Sequence, residues 1–152
     1  MEALELPNAI CRAVDVMDTD SFGSAIVEAE AQVPEERPRI AAVYLNRLAR
    51  DFPLQADPTV HYALGERRAR TLLDDLHHPS PYNTYRHSGL PPGPICNPGK
   101  GALQAVLSPL PGCDDMYFVA QGDGTHLFAR DFDGHRRNRR LVHENRRRGR
   151  AP

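Results

Sequence analysis

The sequence predicts an α+β domain: N-terminal helices, a long proline- and glycine-rich irregular segment, and a small antiparallel β-hairpin near the C-terminus. Three observations carry this prediction. Aliphatic residues recur at helical spacing between residues 22 and 50. Prolines and glycines interrupt the chain from His77 to Lys100. Two short apolar runs then flank Gln121-Gly-Asp-Gly124, the pattern of two strands joined by a glycine-bearing turn.

The elements follow in order. Phe22 to Val33 reads as a helix, with Asp20 or Ser21 as N-cap and Pro34 as its stop. Ile40, Val43, Tyr44 and Leu48 place a second helix over about Glu35 to Arg50, with Pro38 tolerated in its first turn. Residues 51–62, with Pro53, Asp57 and Pro58, read as a loop or short extended segment. Arg67 to Leu76 and Gly101 to Leu107 read as short helices, and Met116–Ala120 with Thr125–Ala129 as the hairpin. An irregular stretch as long as 77–100 inside a small domain tends to carry function.

Composition narrows the classes. With 152 residues, 40% hydrophobic and 26% charged, the chain fits one ordinary globular domain. Its longest apolar run, Ile40 to Leu45, is far short of the roughly 20 residues a membrane helix needs. The start, Met1-Glu-Ala-Leu-Glu5, lacks the basic and apolar regions of a signal peptide. Cys11, Cys96 and Cys113 form no CxxC and cannot all pair, and the histidines are scattered, so neither a disulfide framework nor a metal site is expected. No P-loop, dinucleotide fingerprint or G-x-S-x-G elbow occurs.

Charge is unevenly spread. Eight arginines and a single acid, Glu144, lie between Arg136 and Arg150. A basic tail of this kind can meet nucleic acid or an anionic membrane surface. Arginine supplies all but one of the chain's basic residues, however, so the tail reads first as a solvated, partly frayed terminus, and nucleic acid is not an expected partner. The expected organisation is an unplaced segment 1–21, a domain over 22–135 and an arginine-rich tail over 136–152.

The candidate chemistry begins on the first helix, which carries Glu28 and Glu30. Two positions apart on a helix means about 200° apart, so the two carboxyls cannot share one cleft. Glu30 projects from the aliphatic face of Ile26 and Val27, and Glu28 from the polar side with Ser24 and Gln32. Apolar surroundings disfavour a charged carboxylate and raise its pKa toward that of a general acid, which selects Glu30. A plain salt bridge to an arginine of the second helix is the alternative. In the irregular segment, Tyr82-Asn-Thr-Tyr85 offers aromatic faces and hydrogen-bonding groups suited to sugars or peptides, and a proline-rich ligand for an SH3-like partner is the competing reading.

Taken together, Ala25-Ile-Val-Glu-Ala-Glu30, Ala42-Val-Tyr-Leu-Asn-Arg-Leu48, Leu54-Gln-Ala-Asp-Pro-Thr-Val60, Tyr82-Asn-Thr-Tyr85, Gly89-Leu-Pro-Pro-Gly-Pro-Ile95, Asn97-Pro-Gly99, Tyr117-Phe-Val-Ala120 and Asp123-Gly-Thr-His126 resemble, in this order, the catalytic domain of the MltG (YceG-like) endolytic murein transglycosylases. The resemblance implies cleavage of the β-1,4 bond between N-acetylmuramic acid and N-acetylglucosamine in peptidoglycan, leaving a 1,6-anhydro end. It places the catalytic glutamate at Glu30 and implies no cofactor. One carboxyl suffices for such a reaction, in contrast to a hydrolase's pair. Gln55, Asp57, Asn83, Thr84 and Tyr85 match family positions and are assigned to glycan binding or support of Glu30, with loop scaffolding as their other reading. His126 reads as structural.

The resemblance further implies peptidoglycan strands as substrate, wall synthases as candidate partners and action at the extracytoplasmic face of the membrane. The family's membrane anchor and LysM-like segment have no counterpart in these residues, which leads to the expectation of a piece of a longer protein. The usual small residues before the glutamates are shifted in Gly23-Ser-Ala-Ile-Val-Glu-Ala-Glu30, and the family's His-Asn pair reads His135-Arg136. Two other functions remain in view. A wall-binding scaffold without activity keeps the same surface. A pyridoxal-phosphate lyase, a label this family has also carried, needs a Schiff-base lysine, and Lys100, the one lysine present, sits in a Gly-Lys-Gly turn.

Overall fold

The computed structural model describes residues 23–149. Helix α1 spans Ser24–Glu30. The N-cap expected at Asp20 or Ser21 lies outside the described residues. The helix ends earlier than periodicity suggests, because Ala31 turns extended (φ −80°, ψ 109°). Val33 is extended as well, the conformation that a following proline favours, and Pro34–Glu36 forms one 3₁₀ turn. Helix α2, Arg37–Ala49, starts there with Pro38 in its first turn, where no amide donor is needed. Asp51 in the left-handed region (φ 52°) closes it, and the Phe52 amide returns to the Arg47 carbonyl at 2.8 Å.

Residues 51–62 are not all loop: helix α3 occupies Asp57–Leu64. Its boundaries are written in the sequence, with Asp57-Pro58 at the start and left-handed Gly65 (φ 70°) at the end. Conversely, residues 67–76 form no α-helix. They carry one 3₁₀ turn, Asp74–His77, held by Asp75, which accepts the Leu72 amide at 2.8 Å and pairs with Arg68 at 2.7 Å. Residues 78–99 are irregular, as the prolines predict. Helix α4 then runs over Lys100–Leu107.

Strands β1 (Tyr117–Ala120) and β2 (His126–Ala129) pair antiparallel, with Phe118 opposite Phe128 and Ala120 opposite His126. Gly122 and Gly124 take positive φ in the turn, and Asp123 accepts the Thr125 amide at 2.9 Å. Helix α5, Phe132–Arg147, packs across both strands. Asp131 caps it by accepting the Gly134 amide at 2.7 Å. A single helix therefore runs through the point where composition places the start of a tail. Its stripe is narrow: Val142 is buried and Asn138 reaches the Phe128 carbonyl, while most other positions face water.

The core lies where α1, α2 and α4 meet. Ile26, Val27, Ile40, Ala41, Tyr44, Ala102, Ala105 and Val106 form it, with Leu54 and Ala56 from the segment before α3. Alanines at the crossing let the three helices approach closely. Phe118 and Phe128 attach the hairpin to this core, and Leu90 and Ile95 anchor the irregular segment. Among the described residues no helix is long and apolar enough to cross a membrane, and no group of three or more His, Cys, Asp or Glu side chains converges to hold a metal ion.

Candidate active site

Glu30 is the last residue of α1, and the fold treats its two acids differently. Glu28 Oε2 accepts the Gly99 amide at 3.2 Å, and Arg37 of α2 stands 3.7 Å from its other oxygen. The arginine partner considered for Glu30 thus belongs to Glu28. Glu30 instead accepts a 2.8 Å hydrogen bond from the phenol of Tyr44, a core residue of α2. Burial pushes the Glu30 carboxyl up to about 7; the Tyr44 hydrogen bond opposes this, nearby Asp57 adds to it, and Arg47 opposes it. Tyr44 itself is held well above the ordinary tyrosine range by burial and by the Glu30 charge, so it acts as a donor and not as a base.

Glu30 lies where two clefts meet. One, of about 560 Å³, is walled by Tyr44, Arg47, Gln55, Asp57, Tyr85, β1 and the inner edge of α5. The other, of about 620 Å³, continues past Pro58, His61, Tyr62 and Arg67. Glu30, Asp57, Ala120 and His126 border both. An extended polymer can therefore pass on either side of this one carboxyl.

The residues singled out in the sequence divide into two groups. Gln55, Asp57 and Tyr85 stand in the cleft wall. Gln55 is exposed there at positive φ (50°), its amide bonded to the Thr84 carbonyl at 3.2 Å. Asp57, the first residue of α3, accepts the Tyr85 phenol, whose own proton is held more tightly by burial and by the Asp57 charge. Asn83 and Thr84 are fully buried behind this wall. Asn83 donates to the carbonyls of Leu76 (3.0 Å) and His78 (2.8 Å) and accepts the Tyr85 amide (3.0 Å). Thr84 Oγ1 accepts the Ala56 amide at 2.9 Å and pairs with Thr59 Oγ1 at 2.8 Å. These two residues shape the wall from within and present no side chain to the cleft.

Two contributors escape a sequence reading. Tyr44 looks like core by its helical spacing. Arg47, buried one turn later, donates to the carbonyls of Met116 (2.7 Å) and Leu54 (2.7 Å), joining α2 to the hairpin and to the 53–56 segment. Asp57, which the sequence already singles out, proves in addition to be a second carboxylate close enough to act on the Glu30 charge. His126 is bonded through Nδ1 to Glu36 at 2.7 Å, which fixes the 3₁₀ turn to β2.

The chain that holds this geometry, a high-pKa glutamate at the junction of two clefts, is similar to known proteins. A model described as the YceG-like family matches residues 21–141. The chain belongs to the YceG-like family. The endolytic murein transglycosylase of Bacillus subtilis (strain 168) is 43% identical over 112 residues, covering 74% of this chain and 31% of that protein. The endolytic murein transglycosylase of Streptococcus pneumoniae (strain D39) is 36% identical over 121 residues, covering 76% of this chain and 22% of that protein. The chain thus spans under a third of the length of the curated relatives it matches. The crystal structure of a YceG-like protein from Listeria monocytogenes superposes with a TM-score of 0.77 at 40% identity, over 86% of this chain and 42% of that one. The YceG-like match extends into α5, past the point where the basic composition begins.

Proposed function

We propose that this chain carries the catalytic site of an endolytic peptidoglycan lytic transglycosylase, cleaving the MurNAc-β-1,4-GlcNAc bond, with Glu30 as general acid and then general base. The observation that carries the reading is the Glu30 carboxyl, raised to about 7 and fixed by Tyr44 at the meeting of two clefts. A carboxyl with that pKa is substantially protonated near neutrality, yet still basic enough once it has lost its proton.

Tyr44 occupies Oε1, so the transferable proton belongs on Oε2. Glu30 gives this proton to the glycosidic oxygen as the bond from the muramoyl C1 breaks. The resulting carboxylate then takes the proton of the muramoyl 6-hydroxyl as its oxygen closes onto C1. The bond from C1 to the leaving oxygen is lost and that from C1 to O6 is formed, while the leaving oxygen gains the Glu30 proton and Glu30 regains one from the 6-hydroxyl. Arg47 and Asp57 oppose each other in setting the pKa of that carboxyl. The family relatives named endolytic murein transglycosylase support the same substrate, and the extracytoplasmic face of the membrane is part of the proposal as its site of action.

The test is digestion of purified sacculi. Wild-type protein is expected to release 1,6-anhydro-muropeptides, and a folded Glu30→Gln variant none. Asp57 gives a specific alternative outcome, because a second carboxylate beside the acid can serve water. Reducing muramic acid ends in place of anhydro ends would replace the transglycosylase reading by hydrolysis. Sedimentation with sacculi without any soluble product would point to a wall-binding scaffold.

A further inference from the structure

Helix α5 turns one edge toward the first cleft. Phe132, His135, Arg139 and Arg146 fall within about 60° of arc on an ideal helix, and all four line that cleft. Phe132 is 55% exposed, and Leu73, which also lines this cleft, is 79% exposed. His135 stacks on Tyr117, with ring centres 5.1 Å apart, so the base of the stripe is rigid and aromatic.

Among the described residues the two guanidiniums meet no acid. Among the described residues Arg139 makes no hydrogen bond or ion pair, and Arg146 donates only a 3.4 Å contact to the Ala120 carbonyl. By contrast Arg37, Arg39 and Arg68 are all paired with carboxylates. Burial and the adjacent Arg139 charge keep the His135 pKa low, so it does not add a competing cation. The cleft wall therefore combines open positive charge with exposed apolar groups. The sugar rings of a glycan can stack on the apolar groups but carry no charge for the arginines. The lactyl-linked peptide on a muramoyl residue uses both, since it bears free carboxylates and small apolar side chains. Arg139 and Arg146 are about 10 Å apart along the helix axis, the span of about three extended residues.

We infer that the α5 wall binds the peptide borne by the muramoyl residues, its carboxylates meeting Arg139 and Arg146 and its apolar side chains lying against Phe132 and Leu73. The inference rests on the glycan-cleaving reading and deepens it: the substrate is peptide-bearing glycan, and strands stripped of peptide bind more weakly.

The experiment measures binding to the Glu30→Gln protein, so that turnover is not required. The probes are glycan strands with uncrosslinked peptides and the same strands after an amidase has removed the peptides. Peptide-bearing strands should bind more tightly. Arg139→Gln and Arg146→Gln, both at exposed positions, should each weaken that binding about fivefold and weaken by less the binding of stripped strands, which keep only the lactyl carboxylate. Chemical amidation of the peptide carboxylates should reproduce the loss. Equal affinity for both probes, or equal weakening of both by the variants, would overturn the inference. Failure of the cleavage reading has a different signature: wild-type protein that releases no product from either probe while the binding difference persists.

Discussion

The Tyr44 phenol donates a 2.8 Å hydrogen bond to Glu30 Oε1, joining the middle of α2 to the last residue of α1. One contact thereby fixes the carboxyl's rotamer, takes one of its oxygens and moderates the rise in pKa that burial imposes. Tyr44→Phe keeps the packing volume and removes the donor. The Glu30 pKa should then climb further above 7, moving the alkaline limb of the kcat profile to higher pH. At its optimum kcat should fall about tenfold, the equivalent of one lost hydrogen bond to a reacting group. A profile superimposable on wild type would remove Tyr44 from the site.

Glu30 is also a stability liability whose sign can be worked out. Its folded pKa of about 7 exceeds the ordinary 4.5, so the native state binds the proton more tightly than the unfolded chain. Below pH 4.5 both states are protonated and nothing is lost. As pH rises to 7 the unfolded state ionises first, and stability falls by about 3 kcal/mol before levelling off. Glu30→Gln should therefore exceed wild type in stability at pH 8 and match it near pH 4. Urea unfolding at the two pH values checks this, and a constant difference would exclude a raised Glu30 pKa.

Asp57 raises the proton affinity of Glu30 by like charge. Asp57→Asn should shift the alkaline limb of the activity profile downward, opposite to Tyr44→Phe. Glycan affinity should also weaken, because Asp57 borders both clefts. Carbon-13 titration of the Glu30 carboxyl reads the shift directly, and an unmoved titration would show that Asp57 acts on substrate alone.

Thr84→Val separates the inner supports from the cleft-lining residues. It strands the buried Ala56 amide and breaks the pair with Thr59, at a cost of about 2 kcal/mol. The measurable result is a lower urea midpoint with an unchanged m-value, together with a higher KM as Gln55 and Asp57 lose their footing. Unaltered stability would mean that the 54–60 segment is held from elsewhere.

The primary structure alone determined the first two helices, the hairpin and the irregular segment, and it set Glu30 and Glu28 on different faces of α1. Each of these follows from local geometry: a 100° step per residue, a period of two, or a proline's fixed φ. Although residues 51–62 read as loop, Pro58 and Gly65 stand in the sequence as start and stop signals for α3. Helix α5 was harder to see, because a helix polar around most of its surface carries a weak periodic signal. Tertiary structure alone decided that Tyr44, Arg47, Asp57 and Tyr85 gather around Glu30, that Asn83 and Thr84 turn inward, and that Arg139 and Arg146 face the cleft. The reason is physical. Burial, pKa and charge pairing depend on which surfaces meet in space, and the groups that meet at Glu30 come from α1, α2, α3, the irregular segment and the hairpin, far apart along the chain.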